Sequence, residues 1–143
     1  DEYSLVPSEM KAAAAVLVKD VLGTCTKQEV IDHCRQIREA CGDRAFLRAY
    51  HFVCETQRAK DEADALRHGA LKEFLKLVRE SGRSSWMYLQ DIAAPGSSKD
   101  QAIATALALS ESRLQENGAY RVHGGGFAGI GRKYRDFLRC LLR

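Results

Sequence analysis

A run of glycines near the C-terminal end constrains this chain more than any other feature of its sequence. Six of the 11 glycines fall between positions 118 and 131, and three of them, Gly124, Gly125 and Gly126, are consecutive. Glycine loses more backbone freedom on folding than any other residue, so ordering such a run is costly. Glycine also lets the backbone approach a partner closely, and that partner is often a phosphate held by backbone N–H groups. A tight turn packed against another backbone is the alternative interpretation.

Length and composition predict one domain spanning residues 1–143. The chain has 45% hydrophobic and 29% charged residues, which is ordinary for a globular protein, and a net charge of +3. That charge is too small to indicate nucleic-acid binding across the whole molecule. No apolar run approaches the roughly 18 residues of a transmembrane helix, and the acidic N-terminus does not resemble a signal peptide. We therefore expect neither a nucleic-acid nor a membrane partner.

The cysteines indicate a reducing compartment. There are five, an odd number, and no pair has the C-x-x-C spacing. This pattern fits neither a zinc site nor a disulfide framework, so the sequence predicts free thiols, no metal site and a cytoplasmic location. The five are Cys25, Cys34, Cys41, Cys54 and Cys140.

Most of the chain has the periodicity and end signals of helices. Ser8 is a candidate N-cap for a helix ending near Gly23, and Thr26 with Glu29 has the form of a capping box. We predict one helix from this capping box to Gly42, and a long one from Arg44 to about Arg67 that His68 and Gly69 end. The next helix carries Leu71, Phe74, Leu75 and Val78 and stops at a polar break from Gly82 to Ser85. A second capping-box pattern at Ser98 opens a helix to Glu116, and a final amphipathic helix carries the basic residues over 132–143. Trp86 to Leu89 fits either a short helix or a strand.

One segment is predicted to be a strand. This segment, Ala119 to His123, leads directly into the glycine run. The fold class predicted from the whole pattern is therefore α+β, dominated by helices, with a small antiparallel sheet that includes this strand.

Other candidate sites have plainer interpretations. His51 and Glu55 share a helix face and could form a metal or acid–base pair, although a surface ion pair fits the pattern better. The carboxylates between Glu55 and Asp64 could bind magnesium, but basic residues interrupt them as on a solvated helix face. The basic face over 132–143 could contact nucleic acid or lipid, and a packed amphipathic helix is favoured.

Four segments in one order resemble galactokinases of the GHMP kinase superfamily. Val122 to Gly129, which reads V-H-G-G-G-F-A-G, resembles the third motif of these sugar kinases in its galactokinase version. Residues 47–58 and 65–82 resemble two preceding galactokinase blocks. Asp1 to Ser4 resembles the segment whose tyrosine contacts the sugar. The resemblance covers roughly residues 1–130.

The resemblance implies the C-terminal part of an enzyme that transfers the γ-phosphate of ATP to the anomeric hydroxyl of galactose, with Mg²⁺. It assigns sugar contact to Tyr3, and it assigns to Gly124, Gly125 and Gly126 the loop near the phosphates and the sugar pocket. The nucleotide loop and the catalytic aspartate of the family lie in an N-terminal kinase half, so no catalytic residue is expected here. We expect this chain to be a fragment, inactive alone and without bound ATP or Mg²⁺. Its first residue is Asp, and Pro7 gives a turn signal almost at once.

Two departures from the family pattern leave an alternative open. Ser4 to Pro7 replaces an asparagine and paired arginines, and the polar segment from Gly131 to Asp136 replaces an apolar strand. The alternative is a non-catalytic helical module of sugar-kinase ancestry that binds other proteins. A third and weaker interpretation is binding of nucleic acid or a membrane through the basic face over 132–143.

Overall fold

The computed structural model describes residues 2–90, 92, 99 and 101–116. Two compact units divide the chain: unit 1 is Asp1–Ala70 and unit 2 is Leu71–Arg143. The prediction of a single domain over 1–143 stays a prediction.

Helices make up nearly all of the described residues. Unit 1 contains α1 (Glu2–Val16), a short 3₁₀ turn (Leu22–Thr24), α2 (Lys27–Asp32), α3 (Cys34–Cys41) and α4 (Asp43–Arg67). Unit 2 contains α5 (Leu71–Ser84), a π turn (Ser85–Leu89) and α6 (Ala102–Glu116).

The core of unit 1 lies where α1 and α3 pack against α4. Small residues allow this close approach, because Ala13 and Ala14 of α1 and Ala49 of α4 are fully buried. Val30 and Ile37 are the largest fully buried side chains in the described residues, and they contribute the branched aliphatic part of this core. Apolar burial of this kind is the main favourable term in folding, so α4 is the scaffold on which the other helices of unit 1 assemble.

α1 begins earlier and ends earlier than its sequence predicts. The proposed cap Ser8 lies inside the helix, where its hydroxyl donates to the Leu5 carbonyl at 3.0 Å. The helix ends because Val18 adopts a left-handed conformation with φ of 56°. Two backbone hydrogen bonds then close the end as a Schellman motif, from Lys19 N–H to the Ala14 carbonyl and from Val18 N–H to the Ala15 carbonyl, both at 3.0 Å.

α4 ends in the same motif with a glycine. Gly69 has φ of 67°, and the Ala70 and Gly69 N–H groups donate to the Ala65 and Leu66 carbonyls at 2.8 and 3.1 Å. The sequence prediction that His68 and Gly69 end this helix is confirmed.

The capping box at the start of α2 is confirmed. The Glu29 N–H donates to Thr26 Oγ1 at 3.1 Å, and the Thr26 N–H donates to Glu29 Oε2 at 2.6 Å. The Thr26 N–H and then the Thr26 hydroxyl donate to the Glu29 carboxylate, and they hold the pKa of Glu29 below its ordinary value because they stabilise the charged form. The helix is interrupted at His33, so α2 and α3 are two helices where the sequence predicts one. Gly42, with φ of 88°, ends α3 as predicted.

Unit 2 continues its first helix further than its sequence predicts. Gly82 to Ser85 was expected to be a polar break, but Gly82 and Ser84 are buried within α5. The π turn follows without interruption, and the Gln90 N–H donates to the Ser85 carbonyl at 3.1 Å, a five-residue step. Gln90 has φ of 56°, so the helical run ends in a left-handed residue. α6 is described as far as Glu116, and the residues predicted to close it lie outside the described residues, so its predicted end stays a prediction.

The predicted α+β fold class is wrong for the described residues, which contain helices and no strand. The segment Trp86 to Leu89, left open between helix and strand, lies in the π turn because α5 runs into it without a break. The remaining predicted strand, Ala119 to His123, lies outside the described residues. Where hydrophobic residues recur with the period of a helix, the segment folds as a helix, and no extended strand remains to pair in a sheet.

Candidate functional site

The structure describes one of the two predicted parts of the sugar site. Tyr3 lies in the first turn of α1, in unit 1. The loop residues Gly124, Gly125 and Gly126 lie outside the described residues, so the two parts are not brought together. Of the candidate site, the structure therefore describes only the part of α1 that contains Tyr3.

Pro7 separates the turn that carries Tyr3 from the rest of α1. Proline has no backbone N–H, so the carbonyl of residue 3 receives no bond from residue 7 in the helical ladder. The first turn of α1 is consequently held less firmly by its own helix than the turns that follow.

Glu9 fastens α1 to α4 just beyond that proline. Its carboxylate accepts from Arg44 Nη2 at 2.6 Å and from Arg48 Nη1 at 2.8 Å, with Arg44 Nε at 3.0 Å from the first oxygen. Arg48 is 4% exposed. Within the described residues its Nε has no hydrogen-bond acceptor, so Glu9 provides the charge partner of a buried guanidinium.

This cluster of Glu9, Arg44 and Arg48 was missed in the sequence. The two arginines are four apart, and that spacing places them on one face of a helix. Their partner lies 35 and 39 residues away, on another helix. Only the packing of α1 on α4 brings the three groups together, so no local spacing could have identified Glu9.

A largely apolar groove of about 630 Å³ lies beside α1 in unit 1. Pro7 and Met10 of α1, Leu22 of the 3₁₀ turn and Phe52 of α4 line it, together with the charged side chains of Lys11, Lys19 and Asp20. Val18, which is 91% exposed, is the most exposed large apolar residue in the described part of the chain. A largely apolar groove with a few charged groups suits a protein segment better than a free sugar, which needs several hydrogen-bonding partners.

His51 is buried in α4 and is 7% exposed, contrary to the surface position expected for it. Burial, and then the charge of Arg58, lowers its pKa from 6.5 to about 4, because both disfavour the imidazolium. Glu55, its proposed partner, forms an ion pair with Arg58. At neutral pH the ring is therefore neutral and buried beside an ion pair.

The described residues contain no group of three or more His, Cys, Asp or Glu side chains placed to hold a metal ion. Four predicted free thiols, Cys25, Cys34, Cys41 and Cys54, are free and half-buried, while Cys140 lies outside the described residues. Burial raises the pKa of the Cys25 thiol, and the nearby carboxylate of Glu29 raises it further, so this thiol is a poor nucleophile at neutral pH. Of the helices described, none has the length and apolar character needed to cross a membrane.

No family model matches the chain, and no curated protein sequence matches it.

Proposed function

We propose that this chain is the C-terminal part of a galactokinase-like enzyme that transfers the γ-phosphate of ATP to the anomeric hydroxyl of a galactose-like sugar. The observation that carries the proposal is the order of the four segments, which ends in the glycine run Gly124 to Gly126. A loop without side chains suits phosphoryl transfer, which depends on positioning and charge stabilisation more than on covalent chemistry.

In this proposal the chain supplies sugar contact through Tyr3 and one wall of the site through the glycine loop. ATP and Mg²⁺ belong with an N-terminal kinase half, because the nucleotide loop and the catalytic aspartate of the resembled family lie there. The 143-residue chain is inactive alone for the same reason. A cytoplasmic location is part of the proposal, and the half-buried free thiols of unit 1 suit a reducing compartment.

The test is a panel of sugars offered with ATP and Mg²⁺ to the complete protein and to the 143-residue chain. The complete protein should phosphorylate galactose at its anomeric position, and the isolated chain should not. Tyr3→Phe should raise KM for the sugar about tenfold through loss of one hydrogen bond. Tyr50→Phe is the matched control, because Tyr50 stacks on Phe46 at 6.2 Å within unit 1.

The proposal fails if the complete protein transfers phosphate to none of the sugars. It also fails if the reading frame upstream of Asp1 encodes no phosphate-binding loop. Phosphorylation by the 143-residue chain alone would contradict the assignment of ATP to another part of the protein.

A non-catalytic protein-binding module is the second candidate function. The apolar groove of unit 1 and the exposed Val18 favour it, because exposed apolar surface marks interaction sites. A complete protein that lacks kinase activity but binds a partner, and loses that partner on Val18→Asp, would replace the first proposal with this one.

A further inference from the structure

We propose that a pocket in unit 2 binds the ring of a neutral hexopyranose, which stacks on the indole of Trp86 and hydrogen-bonds to the side-chain amide of Gln90. The pocket has a volume of about 410 Å³, which lies in the range of small-molecule sites. We call it the indole pocket, and its described lining residues are Trp86, Met87, Gln90, Ile92, Gln101 and Ala104. The inference goes beyond the proposed function, because this binding requires neither ATP nor transfer of a phosphate.

The indole of Trp86 gives the pocket a surface that suits a sugar ring. Tryptophan is highly buried on average, whereas Trp86 is 41% exposed and lines the pocket. The face of an aromatic ring carries partial negative charge and attracts partially positive hydrogen atoms. A hexopyranose such as galactose has a ring face on which several C–H groups lie together. Stacking of that face on the indole removes apolar surface of both partners from water.

The remaining wall of the indole pocket combines amides with apolar side chains. Gln90 and Gln101 each carry an amide with N–H donors and a carbonyl acceptor, so a bond to another group leaves capacity for a ligand. A sugar hydroxyl also donates and accepts, and an amide therefore matches hydroxyls on adjacent carbons. None of the described lining residues is charged, so they offer no ionic partner for a phosphate or a carboxylate. The chemistry of this wall selects a neutral ligand with hydroxyl groups.

The backbone departs from regular α-helix where the pocket residues lie. Trp86 and Met87 belong to the π turn and Gln90 ends it, so one side of this turn lines the pocket. π turns occur often at functional sites. Gln90 is left-handed, with φ of 56°, which is a strained conformation for glutamine, and such strain clusters at ligand sites in proteins. The irregular turn therefore brings the indole and the amide to one pocket.

The experiment uses the fluorescence of the 143-residue chain. Trp86 is its one tryptophan, so the indole emission reports on this pocket alone. The chain is titrated with methyl β-D-galactopyranoside, which has no free anomeric hydroxyl and cannot be phosphorylated there. We expect a saturable change in emission with Kd on the order of 1 mM, as suits a ligand of this size. Mannitol carries hydroxyl groups but has no ring face, and it should leave the emission unchanged.

Variants separate the contribution of the amide from that of the backbone. Gln90→Gly removes the amide but fits the left-handed backbone, so it should fold at least as stably and still bind the glycoside about tenfold more weakly. Val18→Gly is the matched control, because it relieves the same φ of 56° in unit 1 and should leave the affinity unchanged.

A second pair of variants tests the stacking surface. Trp86→Leu should abolish binding, and Trp86→Phe, which keeps a smaller aromatic face, should retain part of the affinity. Both lack tryptophan, so saturation-transfer NMR on the glycoside measures their binding. Circular dichroism checks folding, and if Trp86→Leu does not fold, Gln90→Gly decides.

A folded wild-type chain with no saturable response to the glycoside would overturn the inference, as would an equal response to mannitol. Unchanged affinity in Gln90→Gly would also overturn it. Adenosine that binds at Trp86 more tightly than the glycoside would replace the sugar with a nucleobase. Failure of phosphate transfer in the complete protein would overturn the proposed function and leave this inference standing, because the titration involves no phosphate.

Discussion

Val18 occupies at the end of α1 the backbone position that Gly69 occupies at the end of α4. Both residues are left-handed, with φ of 56° and 67°, and both close a Schellman motif. Glycine adopts this conformation freely, whereas a β-branched residue is strained there. Unit 1 therefore contains this motif twice, once with the favoured residue and once with an unfavoured one.

Val18→Gly should stabilise the 143-residue chain by about 1 kcal/mol, because release of left-handed strain exceeds the entropy cost of glycine. The side chain is almost fully exposed, so little packing is lost. Urea denaturation measures the change. Val21→Gly is the matched control: Val21 has φ of −145°, so glycine should destabilise there. The reverse change, Gly69→Val, should cost about 1–2 kcal/mol. Equal stability of the Val18→Gly and Val21→Gly variants would contradict the strain argument.

Ile37→Ala should destabilise the chain by about 3 kcal/mol, because it opens a cavity in the core of unit 1. Ile37 is fully buried, whereas Ile31, which is 40% exposed, offers the same substitution without a comparable cavity. Ile31→Ala should therefore cost about 1 kcal/mol or less. The difference in urea midpoint between the two variants measures the effect, and similar midpoints would contradict the assigned core.

Glu9→Gln should destabilise the chain by about 3 kcal/mol, because the buried Arg48 guanidinium loses its charge partner. Glu9→Leu combined with Arg48→Met removes both charges and should recover most of this loss, since apolar groups can replace a buried pair. Thermal and urea unfolding of the single and double variants give the comparison. A double variant as unstable as Glu9→Gln would show that the charges do more than satisfy each other.

Stability should fall as the pH is lowered from about 6.5 to about 4, by up to about 3 kcal/mol, because of His51. Its pKa is about 4 when folded and 6.5 in an unperturbed histidine, so the unfolded chain takes up the proton first. The stabilising effect is thus complete above pH 6.5 and lost towards pH 4. Urea midpoints measured across this range give the slope.

His51→Gln should flatten that slope, while His68→Gln, at an exposed position, should keep it. Glu29 and Asp43 add to the slope only near the acid end of this range, because their pKa values are lowered from the ordinary values of 4.5 and 3.8, and they add equally in both histidine variants. An unchanged slope in His51→Gln would contradict the assignment.

Local signals identified the features of the fold that depend on neighbouring residues. The capping box of Thr26 and Glu29 and the helix ends at Gly42 and Gly69 depend on side chains and dihedral angles within a few residues. The end of α1 could not be predicted, because no propensity places a valine in a left-handed cap.

Features that depend on tertiary packing were predicted less well. The half-buried Tyr50 and the buried His51 are neighbours in the sequence of α4. The apolar pattern of the sequence predicted burial of Tyr50 but not of His51. Arg48 was not expected in the interior, because its burial requires Glu9 from a distant helix. Tyr3 was assigned from a resemblance between sequences, whereas the ion pairs of Glu9 with Arg44 and Arg48 were found only in the fold.

The π turn from Ser85 to Leu89 has a consequence for how this chain tolerates insertion and deletion. The hydrogen bond from the Gln90 N–H to the Ser85 carbonyl spans five residues, one residue more than an α-helical hydrogen bond. Removing a single residue from this turn, such as the exposed Met87, would convert it to regular α-helix without breaking α5. The segment is therefore a place where the length of the chain can change by one residue while the helix before it keeps its register.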